Sequence, residues 1–258
     1  MKKRRNFLAA GLSFFLCALC IVPFLYVLVT SFQDAEGSFT LRYYYEVFMG
    51  QSQYLFRFWK SMGMSVAIAA GQLFVSVMAG YGFGRYKFHG RDTLFFLLMI
   101  LMTLPVQVTL VPNFIMLNNL GLLDTYAALI LPSIFVPLGT FILTQSFKSI
   151  SDSVIDAAMI DGCSVPKLVA LIAVPMNKSG LVCVLLLSFL DAWNMVEQPV
   201  AYLKEFMQYP ISVALAYTPP ADPSIQMVCC ILVVIPALFL FTLFNKELVE
   251  GIVLAEIK

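Results

Sequence analysis

The sequence predicts an all-α, polytopic membrane protein with six transmembrane helices in one domain covering 1–258. Three observations carry this reading. Sixty per cent of the 258 residues are hydrophobic and 12% are charged, a composition outside the range of soluble globular domains. Charge-free runs at 6–33, 61–84, 93–123, 125–147 and 223–245 each exceed the roughly 20 residues a helix needs to cross about 30 Å of hydrocarbon. A sixth run, 179–200, is interrupted by Asp191, but its first half is uniformly apolar and small. The spans are expected at about 7–29, 61–84, 94–117, 125–147, 179–200 and 226–245, with a polar loop at 148–178.

The first span follows Lys2-Lys3-Arg4-Arg5. No small-residue cleavage site precedes Pro23, so it reads as an uncleaved span rather than a signal peptide, with Pro23 a kink. Between 33 and 60, Tyr43, Tyr44, Tyr45, Tyr54, Phe56 and Trp59 alternate with Arg42, Arg57 and Lys60. Such a mixture can stack nucleic-acid bases, but beside a span it marks the interfacial belt. A net charge of +1 argues against nucleic acid as a partner, since phosphate neutralisation needs an extended basic patch.

The second span carries small residues at four-residue steps, Ala67 and Gly71, then Ser76, Gly80 and Gly84. This spacing allows close helix approach, although glycine is also simply frequent in membrane helices. No Lys-Ser or Lys-Thr follows these glycines, so they form no phosphate loop. The third span contains Pro105, Gln107, Thr109 and Pro112, and the fourth Pro132 and Pro137. Prolines at membrane depth are tolerated where protein or a wet cavity meets the freed carbonyls, so both spans are expected to line the core.

In the fifth span Asp191, Asn194 and Gln198 recur at steps of three and four and are expected on one helix face. A carboxylate at the bilayer centre costs about 2.5 to 3.5 kcal/mol on insertion scales. These residues therefore line a polar path, or cap the helix at the outer headgroups. Of the six cysteines, Cys17 and Cys20 have the spacing of a metal half-site, but no second pair accompanies them, so neither metal nor disulfide is expected.

Lysine and arginine counts set the orientation. With the N-terminus inside, the inner segments hold twelve and the outer segments four, namely Arg42, Arg57, Lys60 and Lys204. That asymmetry puts both termini and the 148–178 loop in the cytoplasm. The loop reads as two short helices. Ser153 is expected to cap the first, with Asp156 completing a capping-box spacing, and Gly162 to take the left-handed position that ends it. Ser164 caps the second, with Pro166 in its first turn, Leu168, Leu171 and Ile172 on one apolar face, and Pro175 as its stop.

The run Asp156-Ala157-Ala158-Met159-Ile160-Asp161-Gly162, with Val174-Pro175 downstream, resembles the cytoplasmic EAA loop of binding-protein-dependent ABC importer permeases. The resemblance extends from about 61 to 244 and is nearest to carbohydrate permeases of the MalG-like type. Gly80-Tyr81-Gly82-Phe83-Gly84-Arg85, Leu104-Pro105, Gly121-Leu122-Leu123-Asp124-Thr125, Leu131-Pro132 and Trp193-Asn194 support it. Met159 and Leu171 depart from it, standing where basic residues are common.

The resemblance implies a type I importer permease of the cell membrane whose 153–175 loop is a coupling helix. Asp156, Ala157, Ala158, Asp161, Gly162 and Pro175 would then meet a separate ATPase. ATP and magnesium belong to that partner, and no cofactor belongs to this chain. The further partners implied are a second permease, membrane lipid and an extracytoplasmic solute-binding protein docking near 201–222. The implied solute is a sugar or oligosaccharide; a polyamine, amino acid or peptide is the alternative. A membrane-embedded enzyme is the rival class, but His89 is the single histidine and no catalytic constellation accompanies it. An ion channel would need a filter segment or a charged ring, for which Asp191 alone is too little.

Overall fold

Apolar sequence becomes helix throughout the computed structural model, which describes residues 2–34, 36–50, 54–217 and 223–256. In chain order the helices are α1 (Lys2–Thr30), α2 (Arg42–Met49), α3 (Tyr54–Arg85), α4 (Arg91–Met102), α5 (Val106–Asn119), α6 (Ala127–Ile134) and α7 (Pro137–Lys148). The polar loop supplies α8 (Asp152–Ile160), α9 (Val165–Leu168), a π turn (Val169–Ala173) and α10 (Val174–Met176). Then come α11 (Lys178–Trp193), α12 (Glu197–Tyr202), a 3-10 turn (Phe206–Gln208), α13 (Ile211–Tyr217) and α14 (Pro223–Glu256).

Three stretches among the described residues are long and apolar enough to cross a membrane unaided: Tyr54–Arg85, Ala127–Lys148 and Ser224–Glu247. The second combines α6 and α7, notched where Val136 turns extended ahead of Pro137. The expected third span, 94–117, is not one straight helix. It is α4 and α5, bent by 101° across the break between them. Pro105 lacks an amide hydrogen and disfavours helix at Leu104, so the first helix must close there.

The expected fifth span, 179–200, also ends early, at Trp193. Pro199 cannot donate to the carbonyl of Met195; the Ser212 hydroxyl donates to it instead, at 2.8 Å. The helix has already closed at Trp193, and Gln198 lies on α12. Asp191, Asn194 and Gln198 therefore do not share one helix face.

The centre of the fold is α3, packed on α7 and α11. Lipid tails are as apolar as leucine, so close van der Waals fit holds such helices together. A Cβ on Gly80 would stand 2.8 Å from Leu143 Cβ and 3.1 Å from the backbone beside it. The four-residue spacing thus serves packing at Gly80 and Gly84, which both face α7, whereas Ala67 is exposed. On the opposing helices Gly139 faces the Ser76 side chain and Gly180 that of Ser146.

Trp193, 1% exposed, closes the α11 to α14 contact by donating from Nε1 to the Val233 carbonyl at 3.0 Å. Its ring stacks on Phe189 and meets Phe58 edge-on. The segment after α12 folds back over the end of α3. There Arg57, buried, donates to the Phe206 carbonyl at 2.9 Å and lies over the Phe206 ring. Ser61 Oγ accepts from the Ile211 amide at 2.8 Å. Ile211, Val213 and Ala214 are consequently core residues, and the accessible part of this cap is Lys204 to Met207.

Candidate functional site

Two polar features stand apart from the packed spans. The first is the loop between α7 and α11. Its first helix starts at Asp152 with Ser151 as N-cap, two residues earlier than expected, and Ser153 lies inside the helix. No side-chain capping bond forms there; Ser151 Oγ and Ser153 Oγ lie 3.1 Å apart.

The helix end follows the expected pattern closely. Gly162 has φ +77°, its amide donates to the Met159 carbonyl, and the Cys163 amide donates to Ala158, each at 3.0 Å. These are the two bonds of a Schellman closure, which favours glycine because left-handed backbone costs other residues about 1–2 kcal/mol.

The second helix of the loop is less regular than the sequence suggests. Ser164 occupies its N-cap position without a side-chain capping bond, and Pro166 stands in its first turn. A π turn follows, in which the Val174 amide reaches the Val169 carbonyl, five residues back. The wider turn rotates Leu171 away from Leu168 and Ile172. Leu171 is 70% exposed while Leu168 is fully buried, so the expected three-residue face does not form. Nor does Pro175 end the helix, which continues to Met176. The break falls at Asn177, whose side chain donates to the Ala173 carbonyl at 2.9 Å as the chain bends by 86° into α11.

The two short helices close on each other through Ile155, Ala158, Leu168, Val169 and Ala173, all in the same buried cluster as Phe147 of α7. Of the residues singled out from the sequence, Ala158 is buried, whereas Asp156, Ala157, Asp161, Gly162 and Pro175 are exposed. Ala157, Ala158 and Asp161 line a hollow of about 520 Å3 with Ser153, Val154, Cys163 and Ile172. On the same helix Met159 is 54% exposed and Ile160 86%. Arg85, unassigned from the sequence, joins this loop to the spans by donating to Ile150 O at 2.9 Å and to Asp152 Oδ1 at 2.6 Å.

The second feature lies around the end of α11. Asp191 and Asn194 are exposed and Gln198 is half-buried; Asn194 donates back to the Leu190 carbonyl at 2.9 Å. Two further polar residues join it, Gln107 and Glu197, with Gln107 Nε2 donating to Glu197 Oε1 at 2.6 Å. Sequence reading misses this pair because the partners lie ninety residues apart. Gln107 follows the break at Pro105, and Glu197 the break at Asn194 to Val196. No group of three or more His, Cys, Asp or Glu side chains suited to a metal ion occurs among the described residues.

A helical membrane chain with an outward-standing loop of paired short helices defines a transport subunit of the permease type. Residues 72–252 match the family described as binding-protein-dependent transport system inner membrane component, and the chain belongs to that family. It is thus a multi-pass membrane subunit of a transport system, not a catalytic one.

The chain is 26% identical over 260 residues to the arabinooligosaccharides transport system permease protein AraQ of Halalkalibacterium halodurans, covering 95% of this chain and 93% of that one. It is 27% identical over 292 residues to the polygalacturonan/rhamnogalacturonan transport system permease protein YtcP of Bacillus subtilis, covering both chains fully. The sn-glycerol-3-phosphate permease protein UgpE of Brucella abortus is 28% identical over 203 residues, 77% of this chain and 72% of that one. The fold is that of a chain in a bacterial ABC transporter that imports the acidic polysaccharide alginate, with TM-score 0.83, 18% identity, and coverage of 95% and 97%.

Proposed function

We propose that this chain forms one half of the translocation path of an ATP-driven sugar importer, with α8 and α9 as the element that receives force from a separate ATPase. The observation that carries this reading is the exposed apolar rim of the loop. Ile160 is 86% exposed, Leu171 70% and Met159 54%, on the same loop whose Ala157, Ala158 and Asp161 line the hollow. An apolar patch rimmed by polar groups in water marks a protein contact. The lysine and arginine asymmetry supports a cytoplasmic position for this loop and both termini, on the side where ATP is.

On this reading a second permease completes the path and ATP with magnesium binds the ATPase. The solute-binding protein delivers its load at the opposite end, where Lys204 to Met207 are accessible. Asp191, Asn194 and Gln198, with Gln107 and Glu197, line the solute path. Amide and carboxylate groups of this kind hydrogen-bond sugar hydroxyls. The relatives named for arabinooligosaccharides and for polygalacturonan favour an oligosaccharide as solute.

Two measurements on cells carrying the whole transport system test this. Gly162→Val is expected to abolish uptake of labelled arabino-oligosaccharides while the chain still inserts, and ATPase co-purification reports whether contact is lost with it. Normal uptake in that variant would reject the coupling role. Uptake of sn-glycerol-3-phosphate in place of any oligosaccharide would reject the sugar assignment.

A further inference from the structure

Only Ser149, Ile150 and Ser151 separate the end of α7 from the start of α8. Three residues make the backbone link at this corner, and Ile155 and Ala158 of α8 are buried in the cluster that also holds Tyr81 of α3 and Phe147 of α7. The α7 side of that corner is fixed, since Gly80 and Gly84 of α3 lie against the Leu143, Thr144 and Phe147 turns. Beyond that packing, one side chain makes a polar link between α8 and α3. Arg85, the last residue of α3, donates from one guanidinium nitrogen to the Ile150 carbonyl at 2.9 Å and from another to Asp152 Oδ1 at 2.6 Å.

The planar fork thus grips the middle of the corner and the first residue of α8. Its side chain is 13% exposed, whereas that of Asp152 is 88% exposed. Such a pair adds little stability, but a fork with two fixed donors sets direction in a way that a point charge does not.

We propose that Arg85 is a positioning residue that locks the α7–α8 corner to the end of α3, so that displacement of α8 moves the spans instead of turning the corner. This rests on α8 being the element pushed by the ATPase. Arg85 touches neither solute nor nucleotide; it makes α8, α7 and α3 one lever.

The test uses the full complex in nanodiscs, with the native cysteines replaced and spin labels attached through Lys87→Cys and Lys167→Cys, the latter on α9, which closes on α8 through the same buried cluster. With Arg85 present, the distance between the labels is expected to be the same without nucleotide and with magnesium-ATP-vanadate trapped. In Arg85→Gln it should match that distance without nucleotide, then shift and broaden on trapping. Arg85→Lys should restore part of the constraint. ATPase turnover should persist in Arg85→Gln while uptake falls about tenfold or more, the factor set by each 1.4 kcal/mol of lost coupling.

An Arg85→Gln distance that stays fixed in both states would overturn the proposal. So would one broadened equally with and without nucleotide, since that describes a static staple. Cross-linking from Ile160→Cys to the ATPase separates the two layers of the argument. Absence of the cross-link with Arg85 intact would remove the coupling reading itself, whereas its presence beside an unresponsive Arg85→Gln would remove only the lever.

Discussion

The Gln107 amide donates a 2.6 Å hydrogen bond to the Glu197 carboxylate, joining the first turn of α5 to the first turn of α12. Both residues directly follow a break, at Pro105 and at Asn194 to Val196, so the bond straps two discontinuities in the bundle wall. Charge-assisted bonds are short and about twice as strong as neutral ones, but both side chains are exposed. The expected net contribution to stability is on the order of 1 kcal/mol.

The mechanical effect should be larger than the thermal one. Gln107→Ala and Glu197→Ala are each expected to reduce solute uptake several-fold with little change in melting temperature, and the double variant should be no worse than either single. Glu197→Gln, which can still accept from Gln107, should retain most activity. Additive losses in transport assays would show that the two residues act separately.

Gly80 faces Leu143 with no room for a side chain, so its replacement probes the α3 to α7 contact. Gly80→Leu must push the helices apart, and overpacking of this kind costs about 1–3 kcal/mol or more. The purified complex should melt at lower temperature and yield less folded protein. Gly82, where a Cβ would meet nothing within 4 Å, is the control on the same helix. Equal effects of Gly80→Leu and Gly82→Leu on melting would remove the packing argument.

The element types and their order were legible because charge-free length and proline position are local properties. Gly162 could be assigned a left-handed backbone for the same reason: a polar helix end followed by glycine has few other solutions. Leu171 could not be placed, because the π turn that rotates it outward depends on how the loop closes over Ala173. The end of α11 at Trp193 was equally hidden. Nothing before Pro199 breaks the pattern locally, and the carbonyl it leaves free is satisfied by Ser212, a residue brought near by tertiary structure. Arg85 was visible as part of a motif, while its two acceptors, more than sixty residues on, were not.

At Gly162 the backbone sign, rather than space, sets the constraint: φ is +77° and a Cβ would meet nothing within 4 Å. Asparagine tolerates the left-handed region better than other non-glycine residues. Gly162→Asn is therefore expected to keep most uptake, Gly162→Ala to lose an intermediate share, and Gly162→Val to lose nearly all, with strain of about 1–2 kcal/mol for the ordinary residues. An order following side-chain volume, with asparagine as damaging as valine, would point to a crowded docking surface and away from backbone geometry.

Trp193 allows the polar and apolar parts of one contact to be separated. Its indole donates to the Val233 carbonyl at 3.0 Å while its ring fills the space between Phe58 and Phe189. Trp193→Phe removes the donor and leaves most of the ring, exposing a carbonyl inside the bundle to a loss of about 1–3 kcal/mol. Trp193→Ala removes both and should cost about 3–5 kcal/mol. The two variants are expected to lower the melting temperature of the complex in that order. Because Asn194 follows directly and stands exposed beside Asp191, loosening this anchor should also depress uptake in Trp193→Phe. If Trp193→Phe instead melts with the native protein, the hydrogen bond contributes nothing and α11 is held to α14 by ring packing alone.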